Sequence, residues 1–187
     1  MISERAKTGF KNLLSRCLEE SLRSGAYPTW SIEPLSDGKE YEKQQFIMLT
    51  VSSYDFRMMV LLHFTRNASS HRYVAETLQL DSGSLEQSRY DDYLSEVGNT
   101  FCGAYKRELG KVFPYLGMST PNLLFPECLQ YIKTWPVEYE THLRAHDGDQ
   151  AEFFGSLYIA SSDAIDFDPQ VLVSQVDEVE TGALEFF

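Results

Sequence analysis

Hydrophobic residues recur at three- and four-residue steps in two long segments, and this spacing predicts two amphipathic helices. The first is predicted over residues 4–24, with Gly25 as its stop signal. The second is predicted over residues 90–110, where one apolar stripe runs along the helix. This stripe consists of Tyr90, Tyr93, Leu94, Val97, Phe101, Ala104 and Leu109. We expect it to lie in the core.

Between these helices the pattern changes to that of β-strands. β-Branched and aromatic residues concentrate in three short segments separated by turn-forming residues. These segments are residues 29–32, 46–51 and 56–65. The unbroken apolar run at positions 58–62 predicts a central strand with both faces covered. Asn67 is predicted to cap a further helix at about residues 71–78.

After the second long helix, two more strands are predicted around a turn. Residues 137–146 and 150–161 alternate in polarity around Asp147-Gly148-Asp149, which is a typical hairpin signal. Residues 123–134 fit either a short helix or a strand. The last 25 residues, 163–187, contain seven acidic residues and no basic one. A solvated tail is favoured there over an edge element or an anchor formed by its two final phenylalanines.

The order of these elements predicts an α+β fold, in which an antiparallel sheet is packed with long amphipathic helices. The chain of 187 residues, 43% of them apolar, is long enough for one well-buried domain and short for two. We therefore predict a single domain over residues 1–162, followed by an acidic C-terminal extension over residues 163–187.

Charge and composition argue against several classes of protein. The net charge is −12 and no cluster of Lys and Arg occurs, which argues against binding to nucleic acid or to anionic membranes. No apolar run approaches the roughly 20 residues that span a bilayer. The N-terminal segment lacks a signal-peptide core, so a cytoplasmic location is expected. Three scattered cysteines without CxxC or histidine spacing predict neither disulfides nor a metal site.

The second long helix also carries a polar stripe beside its apolar one. The stripe consists of Asp92, Glu96, Asn99, Gly103, Lys106 and Gly110. Glu96 can pair with a cation, while the Asn99 carboxamide donates and accepts hydrogen bonds and can orient a water molecule. Gly103 removes side-chain bulk, which suits the close approach of another backbone. An ExxN pair alone is weak evidence, because about 0.4 such matches are expected by chance in this composition.

The wider pattern resembles the CheC/CheX/FliY family of chemotaxis phosphatases. The resemblance covers residues 92–124 and rests on Asp92-x3-Glu96-x2-Asn99, Gly103, Lys106-Arg107 and Ser119-Thr120-Pro121. Only the second long helix carries ExxN, as in CheX-like members. Two features depart from the family: Phe125-Pro126 stands where a Gly usually follows the Pro, and the chain continues well beyond Ile159.

This resemblance implies an enzyme that hydrolyses the aspartyl phosphate of a CheY-like response regulator. It assigns Asn99 to positioning the attacking water and Glu96 to pairing with the regulator's lysine. Asp92, Gly103 and Lys106 would contact the partner. The chain itself would bind no cofactor, and Mg²⁺ is expected on the regulator. Because CheX-type members associate across sheet edges, we also predict a homodimer in which strands from residues 137–161 meet their two-fold mates.

Two other functions stay open at the level of sequence. The chain could be a receiver-binding or flagellar-switch-like module of the same fold that hydrolyses nothing. It could also be a small-molecule binding domain in which Glu96 and Asn99 are ordinary surface residues. The presence of Gly103 and Ser119-Thr120-Pro121 around the ExxN pair argues weakly against this last reading.

Overall fold

A computed structural model describes residues 1–132, 134–148 and 151–172. Four α-helices occur in these ranges: α1 (Glu4–Leu22), α2 (Ala68–Thr77), α3 (Gln87–Leu109) and the short α4 (Leu129–Ile132). The seven strands are β1 (Ser31–Leu35), β2 (Gln45–Ser52), β3 (Phe56–Phe64), β4 (Gly117–Met118), β5 (Asn122–Leu124), β6 (Tyr139–His146) and β7 (Glu152–Ser161). The sequence allowed either a helix or a strand in residues 123–134. The structure has both, because this segment contains the end of β5 and the whole of α4.

All strands belong to one antiparallel sheet with the order β1-β6-β7-β3-β2, and the short strands β4 and β5 both pair with the outer edge of β2. The sheet and its helices confirm the predicted α+β class. Strand β3 lies between β7 and β2, and only Arg57 along it is exposed. The apolar run at positions 58–62 thus correctly predicted a central strand.

Helices α1, α2 and α3 belong to the core on one face of the sheet, where alternate strand residues meet their apolar stripes. Capping fixes where two of these helices begin. The Ser3 hydroxyl accepts a hydrogen bond from the backbone N–H of Ala6 at 3.2 Å. The Asn67 side chain accepts one from the N–H of Ser70 at 2.9 Å, and the Ser70 hydroxyl accepts from the N–H of Asn67, which completes a capping box. Asn67 is therefore the helix cap that the sequence predicted, although α2 begins three residues earlier than expected.

The opposite face of the sheet carries a smaller core that includes a buried polar network. The ring centroids of Tyr41 and His63 are 3.9 Å apart, and the Tyr41 hydroxyl is hydrogen-bonded to Nδ1 of His142. Nε2 of His63 is hydrogen-bonded to the Ser156 hydroxyl at 2.7 Å. Burial, together with the nearby His142, holds the pKa of His63 well below its ordinary value. His63 is thus neutral in the folded protein at neutral pH.

This burial predicts a dependence of stability on pH. Below about pH 6.5 the unfolded chain binds a proton at residue 63 that the folded chain does not, so the free energy of unfolding falls as the pH is lowered. The contribution of this group is about 1.4 kcal/mol per pH unit between its unfolded and folded pKa values. Urea unfolding of the wild type and His63→Gln at pH 7.5 and 5.5 measures it. The variant should lose less stability on acidification, and an equal loss in both proteins would contradict the assignment.

The position of β6 and β7 corrects the predicted dimer interface. Strand β7 is paired on both sides, with β6 and β3, and β1 covers β6 from His142 to His146. Strands from residues 137–161 therefore lie within the sheet and cannot pair along their length with a second copy. The prediction failed because β1 joins β6 across more than 100 residues of chain, and no local pattern reveals such a pairing. Homodimer formation itself stays a prediction.

Residues 163–172 fold back onto α1, so the favoured solvated interpretation is wrong for this part of the acidic segment. Ile165 forms a parallel bridge with Ile2, and the ring of Phe167 packs against Phe10 with centroids 5.1 Å apart. The Arg5 guanidinium is hydrogen-bonded to Asp166 and lowers the pKa of that carboxyl to about 2. Acidic side chains here point outward while alternate apolar ones are buried. Residues 173–187, including the two final phenylalanines, lie outside the described residues.

Candidate functional site

Helix α3 presents its two faces as the sequence predicted. Val97 and Phe101 are only 5% and 1% exposed and belong to the main core. Glu96 is exposed and Asn99 half-buried on the other side of the helix. Positions three residues apart on a helix point in similar directions, so the carboxylate and the carboxamide project together away from the sheet.

The side-chain polar atoms of Glu96 and Asn99 have no partner in the described part of the chain. Within the described residues, neither forms a hydrogen bond or an ion pair. Other acids of α3 behave differently. Asp91 pairs with Arg66 at 2.7 Å, and Glu108 pairs with Arg16 at 3.0 Å. Glu96 and Asn99 are therefore available to an external partner.

Glu108, on the same helix, is a carboxylate that is paired within the protein. Besides Arg16, it accepts a hydrogen bond from Lys111 at 3.1 Å. Burial acts to raise the pKa of this carboxyl, but Lys111 and the nearby arginines outweigh burial and lower it. A carboxylate held in this way joins the end of α3 to Arg16 of α1, and it is not free to receive a cation from another molecule.

The three other predicted site residues lie on the same stripe of α3. Asp92 is exposed, and Gly103 and Lys106 are half-buried. In the part of the chain that the structure describes, Asp92 and Lys106 have no hydrogen-bonded or ionic partner. The structure thus brings Asp92, Glu96, Asn99, Gly103 and Lys106 onto one outward-facing strip, and Gly110, the last residue of the predicted stripe, is the exposed C-cap of α3. Whether they bind a partner remains a prediction.

The glycines of α3 have separate roles. A Cβ atom at Gly98 would lie 2.7 Å from Cγ2 of Ile47 on β2, so Gly98 allows the helix to approach the sheet closely. A Cβ atom at Gly103 would meet nothing within 4 Å. Close packing inside the protein therefore requires Gly98. Gly103 leaves open space on the outer stripe, which is what the approach of a partner's backbone would need.

Opposite effects on stability are expected from alanine at these two positions. Gly98→Ala should lower the free energy of unfolding by about 1–3 kcal/mol, because Ile47 is β-branched and adjusts poorly. Gly103→Ala should raise it by about 0.5–1 kcal/mol, because alanine has the higher helix propensity. Guanidinium unfolding of both variants measures the difference. Equal changes of the same sign would show that the close approach at Gly98 is wrongly assigned.

The segment after α3 returns to the edge of the sheet and flanks the helix. The Ser119 hydroxyl accepts a hydrogen bond from the backbone N–H of Thr50 at 2.9 Å and donates one to the carbonyl of Thr120 at 3.1 Å. Ser119 therefore fixes the path of the chain into β5, which contacts α3. Phe125, which follows β5 where the resembled family usually carries Gly, is 63% exposed.

Nucleophilic catalysis by Cys102 is not supported by its surroundings. Both Cys102 and Cys17 are fully buried, and burial raises the pKa of each thiol to about 12. Such thiols are protonated at neutral pH and are poor nucleophiles. Both side chains belong to the main core.

Some candidate features were not found by sequence reasoning. A cavity on the face of the sheet opposite α3 includes Thr50 and Ser52 of β2, Arg57 of β3, and Trp135. The alternation of β2 was a possible signal, because its polar positions imply a face that is not fully covered by the core. The wall of the cavity comes from a distant segment, which periodicity does not place.

Within the described ranges, no helix is long and apolar enough to cross a membrane.

Comparison with known proteins gives the class of fold. No protein-family model and no curated protein matches the sequence. Similar solved structures include a CheC-like superfamily protein from Shewanella sp. PV-4 (TM-score 0.64, 11% identity, 82% of this chain and 98% of that chain). Another is the chemotaxis protein CheX from Vibrio vulnificus (TM-score 0.62, 12% identity, covering 81% of this chain and 99% of that chain). A third is a chain of the CheX-CheY-BeF3-Mg²⁺ complex from Borrelia burgdorferi (TM-score 0.62, 11% identity, covering 82% of this chain and 97% of that chain).

These likenesses cover nearly the whole length of the solved chains. The protein is an α+β protein with a helix-backed antiparallel sheet. Its fold is that of the CheC and CheX chemotaxis proteins. At 11–12% identity the likeness concerns the fold, and function has to be argued from the side chains of α3.

Proposed function

We propose that this chain is a CheX-like phosphatase that hydrolyses the aspartyl phosphate of a CheY-like response regulator. One observation carries the proposal. In a CheX-type fold, a carboxylate and a carboxamide without a polar partner among the described residues stand one turn apart on the outward face of α3, at Glu96 and Asn99. The proposal implies a cytoplasmic location, where response regulators act.

The chemistry of the two side chains suits different parts of this reaction. The Asn99 carboxamide can accept a hydrogen bond from a water molecule and donate one to the phosphoryl group, which orients the water in line with phosphorus. The water oxygen forms a bond to phosphorus while the bond to the aspartyl oxygen breaks, which yields phosphate and a free carboxylate. Glu96 would pair with the regulator's lysine and set the depth at which α3 docks.

The shape of the site implies that the partner supplies the phosphate pocket. The stripe of α3 faces away from the sheet and is convex, so these side chains alone do not enclose a small substrate. Phosphoryl transfer depends mainly on positioning and on neutralising charge, and Mg²⁺ on the regulator would provide the latter. This chain would contribute Asn99, Glu96 and the contacts of Asp92, Gly103 and Lys106.

The direct test uses phosphorylated receiver domains. Candidate regulators are labelled with radioactive acetyl phosphate, freed of the donor, and followed for loss of label with and without a substoichiometric amount of the protein. Faster release of inorganic phosphate over many turnovers is expected for the cognate regulator. Release at the regulator's own rate with every receiver of the source organism would refute the phosphatase assignment.

A second candidate function is binding of a receiver domain without hydrolysis, and the exposed ring of Phe125 favours it. This large side chain follows β5 where the resembled family usually has Gly, and β5 contacts α3. A bulky group beside the docking helix could hold a receiver too far from Asn99 for attack. Complex formation with no acceleration of phosphate release would identify this function.

Glu96→Ala should weaken the interaction with the regulator more than it slows the chemical step. An exposed ion pair contributes about 0.5–1 kcal/mol, so the KM for the phosphorylated receiver should rise about two- to fivefold. The effect should shrink at high salt, where the pair is screened. Steady-state rates at low and high salt measure it. The matched control is Glu20→Ala, which removes an exposed carboxylate of α1. A rise in KM independent of salt would argue against an ionic contact.

A further inference from the structure

A cavity of about 730 Å³ opens on the face of the sheet opposite α3. Pockets that hold small molecules measure roughly 300–1,000 Å³, so this cavity is large enough for a ligand. Its floor is formed by the outer faces of β2 and β3, and its wall by Cys128, Tyr131, Ile132 and Trp135. Since the stripe of Glu96 and Asn99 projects from the other layer, the cavity is a separate site and does not depend on the proposed phosphatase activity.

The lining of the cavity is apolar on the inside and polar at one end. Met48, Met59 and Ile132 provide apolar surface, and the Trp135 ring provides a flat aromatic wall. The register of the sheet places the polar end, because Ser52 pairs with Arg57 across β2 and β3. A ligand lying in this cavity would therefore meet flat apolar surface along its body and a cation at one end.

Arg57 is the group that gives the cavity its charge preference. Its guanidinium lies 5.9 Å from the centroid of the Trp135 ring. Among the described residues, no carboxylate pairs with it. An unpaired arginine at the edge of an apolar cavity, in a protein of net charge −12, favours an anionic group on the ligand.

We propose that this cavity is a binding site for a small planar aromatic carboxylate. The ring system lies against Trp135 and the methionines of β2 and β3, and the carboxylate accepts hydrogen bonds from the Arg57 guanidinium and the Ser52 hydroxyl. The aromatic body accounts for the flat wall. The carboxylate accounts for the arginine and the hydroxyl that face each other across the two strands.

Cys128 provides a reporter for occupancy. It lines the cavity and is partly exposed, whereas Cys17 and Cys102 are buried with the pKa of each thiol raised to about 12. Iodoacetamide should therefore modify Cys128 selectively in the folded protein, and mass spectrometry follows the rate. Naphthoate at saturation should slow this reaction at least fivefold. Isothermal titration calorimetry with naphthoate gives the affinity independently of the thiol.

The preference for an anion is tested by pairing ligand and protein changes. Naphthylmethanol, which keeps the ring system and lacks the charge, should bind about tenfold more weakly than naphthoate. Arg57→Gln should weaken naphthoate binding about tenfold and leave naphthylmethanol unchanged. Arg72→Gln, which removes an exposed arginine of α2, is the matched control and should change neither. Thermal unfolding verifies that each variant is folded.

Three results would overturn the proposal. Equal affinity for naphthoate and naphthylmethanol would show that Arg57 confers no charge preference. Modification of Cys128 unaffected by naphthoate would show that the cavity does not take an aromatic ligand. A Cys128 thiol that does not react in the native protein would show that the cavity is closed in solution.

Discussion

Asn99→Ala is expected to reduce the stimulated dephosphorylation of the cognate response regulator by about 100-fold or more, down to the regulator's own rate. Alanine can neither accept a hydrogen bond from the attacking water nor donate one to the phosphoryl group. The loss should appear in kcat, because water placement matters at the chemical step. Single-turnover decay of the labelled receiver, with the protein in excess, measures this step separately from docking.

The fold should not change in this variant. Asn99 lies on the outer stripe and its side chain forms no hydrogen bond or ion pair with the described residues, so the free energy of unfolding of the variant should stay within about 0.5 kcal/mol of the wild type. Thr100→Ala, which alters the exposed neighbour off the stripe, is the matched control and should keep full activity. Full activity in Asn99→Ala would refute the assignment of this residue, and equal loss in both variants would point to damage to α3.

Phe101→Ala should lower the free energy of unfolding by about 3–5 kcal/mol, the largest effect on stability expected here. The ring is 1% exposed and belongs to the core between α3 and the sheet. The ring of Phe101 lies close to Gly155 of β7. A Cβ atom added at Gly155 would lie 3.5 Å from Cζ of Phe101 and 2.9 Å from Cδ2 of Leu18 on α1. Removal of the ring leaves a cavity where two helices and the sheet meet. Equilibrium unfolding in guanidinium, with the slope compared between proteins, measures the loss.

The matched comparison for this variant is again Thr100→Ala, one residue away on the same helix. Its side chain is exposed, so its unfolding should match the wild type within about 0.5 kcal/mol. Phe101→Leu, which keeps much of the volume, should cost less than the alanine variant. A normal unfolding midpoint for Phe101→Ala would mean that the two faces of α3 are wrongly assigned.

The faces of α3 could be predicted from sequence because helical periodicity is a local property. Tyr90, Leu94, Val97 and Phe101 repeat at three- and four-residue steps, and all are buried as expected. The position of β3 was also predictable, because an apolar run without alternation implies a strand covered on both faces. In each case the signal lies within a window of about ten to twenty residues.

Some features left a signal that sequence reasoning passed over. Gly98 falls on the buried stripe, four residues after Leu94, and this spacing was enough to place it against the sheet. Ile165 and Phe167 alternate with acidic residues, which is a pattern of period two with one buried face. The high density of acidic residues in that segment obscured this alternation.

Other features could not be predicted, because they depend on contacts between distant parts of the chain. The pairing of β1 with β6 decides which strands are free for a partner, and the two strands are separated by most of the domain. The cavity beside Arg57 arises where Cys128, Tyr131, Ile132 and Trp135 lie over β2 and β3. Periodicity describes which side of an element is apolar, and it does not describe which other element covers that side.

The packing of α1 has a consequence for how the protein is made. Apart from β1 and Tyr73 of α2, which donates a hydrogen bond to the carbonyl of Leu22, its main partners are α3, β6, β7 and residues 165–172, all at least 60 residues further along the chain. At a synthesis rate of about 5–20 residues per second, α1 leaves the ribosome roughly 10–30 s before the last of these segments exists. Until α3 and the later segments are made, most of its apolar stripe, which includes Phe10, Leu14 and Leu18, lacks its native partners. The nascent chain therefore exposes an apolar helix that is prone to non-native contacts until the sheet and α3 have been made.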